Sequence, residues 1–150
     1  MSILLDTNIL TRSSEPQHPM HQLGADAVAA LLQQGEGIFL VPQNFYEYWS
    51  VATRPATQNG LGLTPSQAAA ELIRFGADFS VLDDLPAAFQ VWQQLVVQYQ
   101  VIGKNGHDAR LVAAMLVHGV DRLLTLDLHL ESVAKLKTWP PKAGIERRRG

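Results

Sequence analysis

The chain has 150 residues, of which 47% are hydrophobic and 17% charged, with a net charge of −2 and no cysteine. That length suits one domain, residues 1–150, with a core of its own. The missing cysteines exclude disulfides, thiolate metal sites and cysteine nucleophiles. No basic stretch followed by an apolar run opens the chain, and no run reaches the length of a membrane span, so the expected location is cytoplasmic.

Apolar runs and helical periods alternate along the chain. Ser2–Asp6 (SILLD) reads as a strand, and the segment from Thr11 to Gln22 as a loop punctuated by Pro16 and Pro19. Leu23–Gly35 places Leu23, Val28, Leu31 and Leu32 at helical spacing, with Gly35 as the stop. Gly37–Pro42 (GIFLVP) is a second strand. The following helix, Gln43 onward, closes before Pro55, because the residue preceding a proline resists the α region. Thr64 and Pro65 have the chemistry of an N-cap and first helical residue. Phe79–Asp84 is a third strand, ending in the exposed acids Asp83 and Asp84. Leu85–Gln100 is an amphipathic helix on which Trp92 and Tyr99, like Trp49 on the earlier one, take core-like positions. A glycine-bearing loop feeds a helix that stops at Gly119. Asp121–Asp127 is a fourth strand, Leu128–Leu136 a short helix and Ala143–Arg147 a last edge strand. Strand–helix alternation without hairpin signals gives an α/β fold with a mostly parallel central sheet of four to five strands flanked by helices. The strands are continuously apolar, as both-face burial requires.

Two of these strands end on carboxylates, Asp6 and Asp127. In open α/β sheets the ligand site lies beyond the carboxyl ends of the strands. Glu47 follows about one helical turn after the second strand and so comes to the same rim. Asp108 opens the helix after GKNG; a helix that feeds a strand reaches this rim if the preceding VIGKNG stretch carries the chain back. Each acid also has a plain structural use: Asp108 at a helix N-terminus, Asp127 capping the short helix after it, Asp6 starting a turn through Thr7 and Asn8. Glu47 stands among Phe45, Tyr46, Tyr48 and Trp49, where an unpaired carboxylate would be expensive. Four gathered carboxylates repel one another and require protons or a cation. An all-oxygen set suits Mg²⁺ or Mn²⁺ rather than zinc.

With its LLDTNIL start, the glutamate in NFYEYWSVATRP and the two aspartates of HDARLVAAMLVHGVDRLLTLD, the whole chain resembles the PIN-domain family, and within it the VapC-type toxin ribonucleases of type II toxin–antitoxin pairs. Carried over by position, the resemblance implies Asp6, Glu47, Asp108 and Asp127 as catalytic acids, with Asp6, Asp108 and Asp127 holding Mg²⁺ or Mn²⁺. Thr7, Asn8 and Thr125 support them. It also implies an RNA substrate, a homodimer and an antitoxin protein that inserts a segment near the site. The chain departs from the family at Asn44, where many relatives carry serine or threonine, and at His129 and Leu130, where an acid or phenylalanine often follows.

The expected activity is therefore metal-dependent hydrolysis of RNA phosphodiesters. Lys104 and Arg110 flank Asp108 and are candidates for phosphate contacts, or else solvated. Arg12, Arg54 and the terminal Arg147–Arg149 would complete a basic path. His107 and His129 read as surface or capping histidines. Two rivals stand beside this reading. One is a PIN fold that binds RNA or protein without cutting. The other is a phosphohydrolase using Asp6 as nucleophile, disfavoured because position 8 is asparagine where a second acid is needed.

Overall fold

The computed structural model describes residues 2–127 and 133–138, with side chains over 2–126. Among these residues five strands form one sheet in the order β3-β2-β1-β4-β5. They are β1 (Ser2–Leu5), β2 (Gly37–Leu40), β3 (Ser80–Val81), β4 (Arg122–Asp127) and β5 (Val133–Thr138). The first four run parallel, and β5 pairs antiparallel with β4. The expected mostly parallel sheet is thus present.

Among the described residues six α-helices flank it: α1 (Thr7–Ser13), α2 (His21–Gln33), α3 (Pro42–Ala52), α4 (Pro65–Asp78), α5 (Ala87–Gln98) and α6 (Asn105–His118). Side chains alternate between the two faces of the sheet. On one face Ile3, Leu5, Ile38, Leu40, Leu124 and Leu126 join Ile9, Leu10, Leu31, Tyr48 and Phe75 in the larger core. On the other, Leu4 and Leu123 meet Val41, Leu111, Met115 and Val120. Burial on both faces explains why the strands are apolar at every position rather than at alternate ones. Inside the larger core Tyr48 meets Phe75 edge-on at 4.8 Å, and its hydroxyl is 2.7 Å from that of Ser14.

Several boundaries follow the sequence closely. Thr64 caps α4, its hydroxyl accepting from the Gln67 amide while the Gln67 side chain accepts from the Thr64 amide. Gly119 ends α6 in the left-handed conformation, φ 68°, which glycine adopts without a Cβ clash. Three expectations are corrected. The segment read as loop from Thr11 begins inside α1, a helix too short for its periodicity to stand out. The third strand keeps only Ser80 and Val81 of its expected length. Val133–Leu136, read as part of a helix, belong to β5, where pairing with β4 from Asp127↔Val133 to Arg122↔Thr138 overrides the helical preference of Ala, Leu and Lys. The expected edge strand at 143–147, the terminal arginines, His129 and Leu130 lie outside the described residues.

The topology creates one special place. From β1 the chain moves to β2 on one side, while β4 lies on the other side of β1. The crevice at the carboxyl ends of β1 and β4 is therefore a topological switch point, where open α/β sheets bind ligands.

Candidate active site

Asp6 occupies that switch point. It is the residue between β1 and α1, and its amide donates to the carbonyl of Leu124 at 2.8 Å, continuing the β1–β4 pairing beyond Leu5. Although it stands in the N-cap position of α1, its carboxylate makes no cap bond. It accepts instead from the Thr125 hydroxyl on β4, at 2.7 Å. Asp6 does begin a turn through Thr7 and Asn8, its carbonyl accepting from the Ile9 amide at 3.1 Å, while its carboxylate is turned across the strands to Thr125.

Asn8 locks the same junction. Its amide nitrogen donates to the Thr125 hydroxyl oxygen at 3.0 Å and to the Leu126 carbonyl at 2.9 Å, while its oxygen accepts from the Leu126 amide at 3.1 Å. An asparagine has the donor and acceptor needed to mimic a strand neighbour in this way. Thr7 is buried beneath, accepting at its hydroxyl from Asn44 at 3.1 Å.

Asn44 is fully buried and joins three elements. Its oxygen accepts from the Val41 amide at the start of α3, and its nitrogen donates to the Leu5 carbonyl at 3.0 Å as well as to Thr7. The carbonyl of Leu5 immediately precedes Asp6, so Asn44 ties the first acid to the helix that carries the second. A departure from the family pattern thus proves to be a structural junction. Its signal in the sequence was a polar residue two positions after a proline that opens a helix.

Glu47 lies on α3 one turn past Gln43. The Gln43 amide donates to its carboxylate and, at 2.8 Å, to the backbone carbonyl of His107 in α6. The crowd of aromatics expected around Glu47 does not surround it: Tyr48 is buried in the core, while Tyr46 and Trp49 are exposed. Successive helix residues face different directions, so sequence neighbours are poor guides to surroundings. The Glu47 carboxyl is nonetheless raised above its ordinary value of 4.5. Burial is the main cause, opposed by the Gln43 bond; the charges of Asp6 and Asp108 raise it further, and His107 opposes. Asp6 and Asp108 are thus among the charges that act on Glu47, with burial the larger cause.

Asp108 sits in the first turn of α6. The Tyr99–Lys104 connection returns the chain so that this turn is gripped from two sides: Trp92 of α5 donates its indole N–H to the Gly106 carbonyl at 2.8 Å, and Gln43 of α3 reaches the His107 carbonyl. The stretch expected to carry the chain back to the rim does so. Lys104, His107, Asp108 and Arg110 are exposed. Asp127 ends β4 two residues beyond Thr125, and its side chain lies outside those described. Trp49 and Tyr99, expected in core-like positions, are 36% and 46% exposed.

At the opposite, amino ends of the strands the contrast is clear. Glu36, just before β2, is ion-paired at 2.6 Å with Arg122, the first residue of β4, and that bond holds its carboxyl below the ordinary value. The acid at the amino ends is neutralised, whereas Glu47 at the carboxyl ends has its proton affinity raised, chiefly by burial.

Among the described residues, no three acids or histidines close into a group that would hold a metal ion by themselves. The donor chemistry nevertheless fits a hard divalent cation: every acid at the rim offers carboxylate oxygen only, with no cysteine in the chain. Among the described residues, no helix is long and apolar enough to cross a membrane.

No family model matches the chain, and no curated protein matches it in sequence. Among solved structures it is similar to VapBC2 from Rickettsia felis, determined bound to a DNA fragment from their promoter, with 14% identity over 85% of this chain and 89% of that one and a TM-score of 0.62. It is also similar to VapC20 of Mycobacterium tuberculosis, a sarcin–ricin loop cleaving toxin, with 18% identity over 84% of this chain and 90% of that one and a TM-score of 0.62. At these identities the likeness establishes the fold: the chain has the PIN-like fold of the VapC toxins.

Proposed function

We propose that this chain is a metal-dependent endoribonuclease and the toxin of a type II toxin–antitoxin pair. The observation that supports the reading is a half-buried Glu47 tied through Gln43 to the turn of α6 that bears Asp108, at the rim where β1 ends on Asp6, in a fold shared with VapC toxins. Asp6, Asp108 and Asp127 would hold Mg²⁺ or Mn²⁺. Such an ion supplies Lewis-acid polarisation of the phosphoryl oxygen and a more acidic water.

The chain's own residues do the positioning. Thr125 and Asn8 fix the Asp6 carboxylate between β1 and β4. Gln43 aims Glu47 and at the same time anchors the turn that presents Asp108. Glu47 orients the water that attacks phosphorus in line, as a further ligand or through its own hydrogen bond. Lys104 and Arg110, both exposed and close to Asp108 in sequence, would meet phosphates of the strand. The partners in this reading are RNA, a second copy of the chain and an antitoxin protein, in the cytoplasm. Exposed Val97, Tyr99 and Ile102, at the end of α5 and just beyond, supply apolar surface of the kind that a protein interface covers.

The alternative is an inert PIN-fold module that binds RNA or protein. Incubating the wild type and Asp127→Asn with a mixed RNA pool, with Mg²⁺, Mn²⁺ or chelator, separates the two. Cleavage that needs the ion and is abolished by Asp127→Asn supports the nuclease; intact RNA under every condition leaves the binding module.

A further inference from the structure

Between the start of α3, α5 and α6 lies a cavity of about 410 Å³ lined by Gln43, Asp84, Phe89, Trp92, Arg110 and Ala114, among others. Three features of this cavity go together. First, its aromatic wall is a stacked pair: Phe89 and Trp92 lie with ring centroids 6.2 Å apart and planes 24° from parallel. Phe89 is 62% exposed, so the outer ring of the pair is open to a ligand. Secondly, the platform is fixed. The Trp92 N–H is engaged by the Gly106 carbonyl, two residues before Asp108, so the indole offers its faces rather than its donor. Thirdly, the cavity shares one lining residue with the site of the acids. Gln43 lines it and also bonds the Glu47 carboxylate and the His107 carbonyl. Arg110, two residues past Asp108 on α6, lines it too.

We propose that this cavity is a nucleobase subsite, which takes one unpaired base of the RNA strand next to the bond that is cut. The inference rests on the ribonuclease reading above and deepens it. A flat, fixed aromatic pair recognises the π-face that every base has, and adjoining cationic groups hold the backbone on either side. Phe89 carries the stacking, Trp92 braces it against α6, and Arg110 meets the phosphate between the stacked base and the acids. A single-stranded or looped region is required, because a base inside a duplex cannot reach a side pocket. The cavity thus sets which bonds are cut, by holding the strand in register with the acids. An antitoxin peptide, the other occupant that suits an apolar pocket, would need no fixed stacked pair and no link through Gln43 to the acids.

The test is a cycle on protein and RNA. Cleavage sites are first mapped in a mixed RNA pool with wild type. A single-stranded oligonucleotide spanning a mapped site is then made intact and with an abasic nucleotide at each position flanking the cut. Phe89→Ala, at an exposed position, should leave the melting temperature unchanged and raise KM for the intact oligonucleotide by about tenfold to a hundredfold, the weight of one stacked base. Phe89→Tyr should restore KM. One abasic position should weaken wild type by a similar factor while leaving Phe89→Ala no worse, since base and ring are two halves of one contact. If wild type cuts but Phe89→Ala retains its KM and cleavage pattern, the subsite is refuted while the nuclease stands, and the cavity falls to a protein ligand. If both losses occur but multiply independently, the base lies elsewhere and the subsite is again refuted. Failure of wild type to cut any RNA would overturn the nuclease reading and the subsite with it.

Discussion

The Thr125 hydroxyl donates to the Asp6 carboxylate across two parallel strands, at 2.7 Å, and links residues 119 apart in sequence. Thr125 is itself 5% exposed, and its oxygen also accepts from Asn8. A buried hydroxyl used as donor and acceptor at once has one orientation, and so therefore does the carboxylate that it serves.

Replacing Thr125 by valine keeps the volume and removes both bonds. The expected result is a loss of about 1–2 kcal/mol in urea unfolding, since Asn8 retains its backbone partners while Asp6 loses its donor. Affinity for Mg²⁺, read from ion-dependent shifts in melting, should fall about tenfold to a hundredfold, as when a residue supporting a metal ligand is lost. A valine variant with unchanged ion response would show that the hydroxyl does not orient Asp6.

Asn44→Ala should be more damaging. It strands the Leu5 carbonyl, the Val41 amide and the Thr7 hydroxyl in a fully buried setting, for an expected loss of about 2–4 kcal/mol. Asn44→Ser retains a donor and an acceptor at shorter reach and should fall between wild type and alanine. Chemical denaturation of the three proteins gives the order directly; equal stability of all three would contradict the junction.

Glu47 gives a pH prediction whose sign follows from its environment. Its folded-state carboxyl binds a proton more tightly than the ordinary carboxyl of the unfolded chain. The contribution to stability is thus present below the unfolded value of 4.5 and is lost as pH rises through the folded value. Glu47→Gln, which can still accept from Gln43, should melt higher than wild type at neutral pH without metal. The gap should close as the solution is acidified toward the unfolded value. Glu36 has the opposite sign: Arg122 lowers its carboxyl, so Glu36→Gln should be destabilised at neutral pH, with the deficit shrinking in acid as the wild-type pair is protonated. Thermal melts across that pH range, compared with wild type, test both signs.

The legible parts of the sequence were those governed by local rules. Apolar strands, the Thr64 cap, the Gly119 stop and the carboxylates at strand ends all follow from residue type and position. The parallel α/β sheet could be read from strand–helix alternation alone. Tertiary contacts decided the features that escaped. The helix α1 has too few turns to display a period, and β5 is drawn from its helical preference by pairing with β4. The roles of Asn44 and Trp92 depend on backbone carbonyls of distant elements, Leu5 and Gly106, and no spacing announces such bonds. Gln43 was partly readable, since its four-residue offset from Glu47 puts the two on one helix face.

The central claim is that the rim acids form a working site for a divalent ion, and melting with metal tests it most directly. Wild type and Asp6→Asn are titrated with Mg²⁺ and with Mn²⁺ while unfolding is followed. An ion that binds only the folded state raises the melting temperature with concentration. The expected result is that rise for wild type and a much weaker one for Asp6→Asn, which should itself melt higher than wild type in chelator because one repelling charge is gone. A wild type indifferent to both ions, or a variant that responds as wild type does, would contradict it.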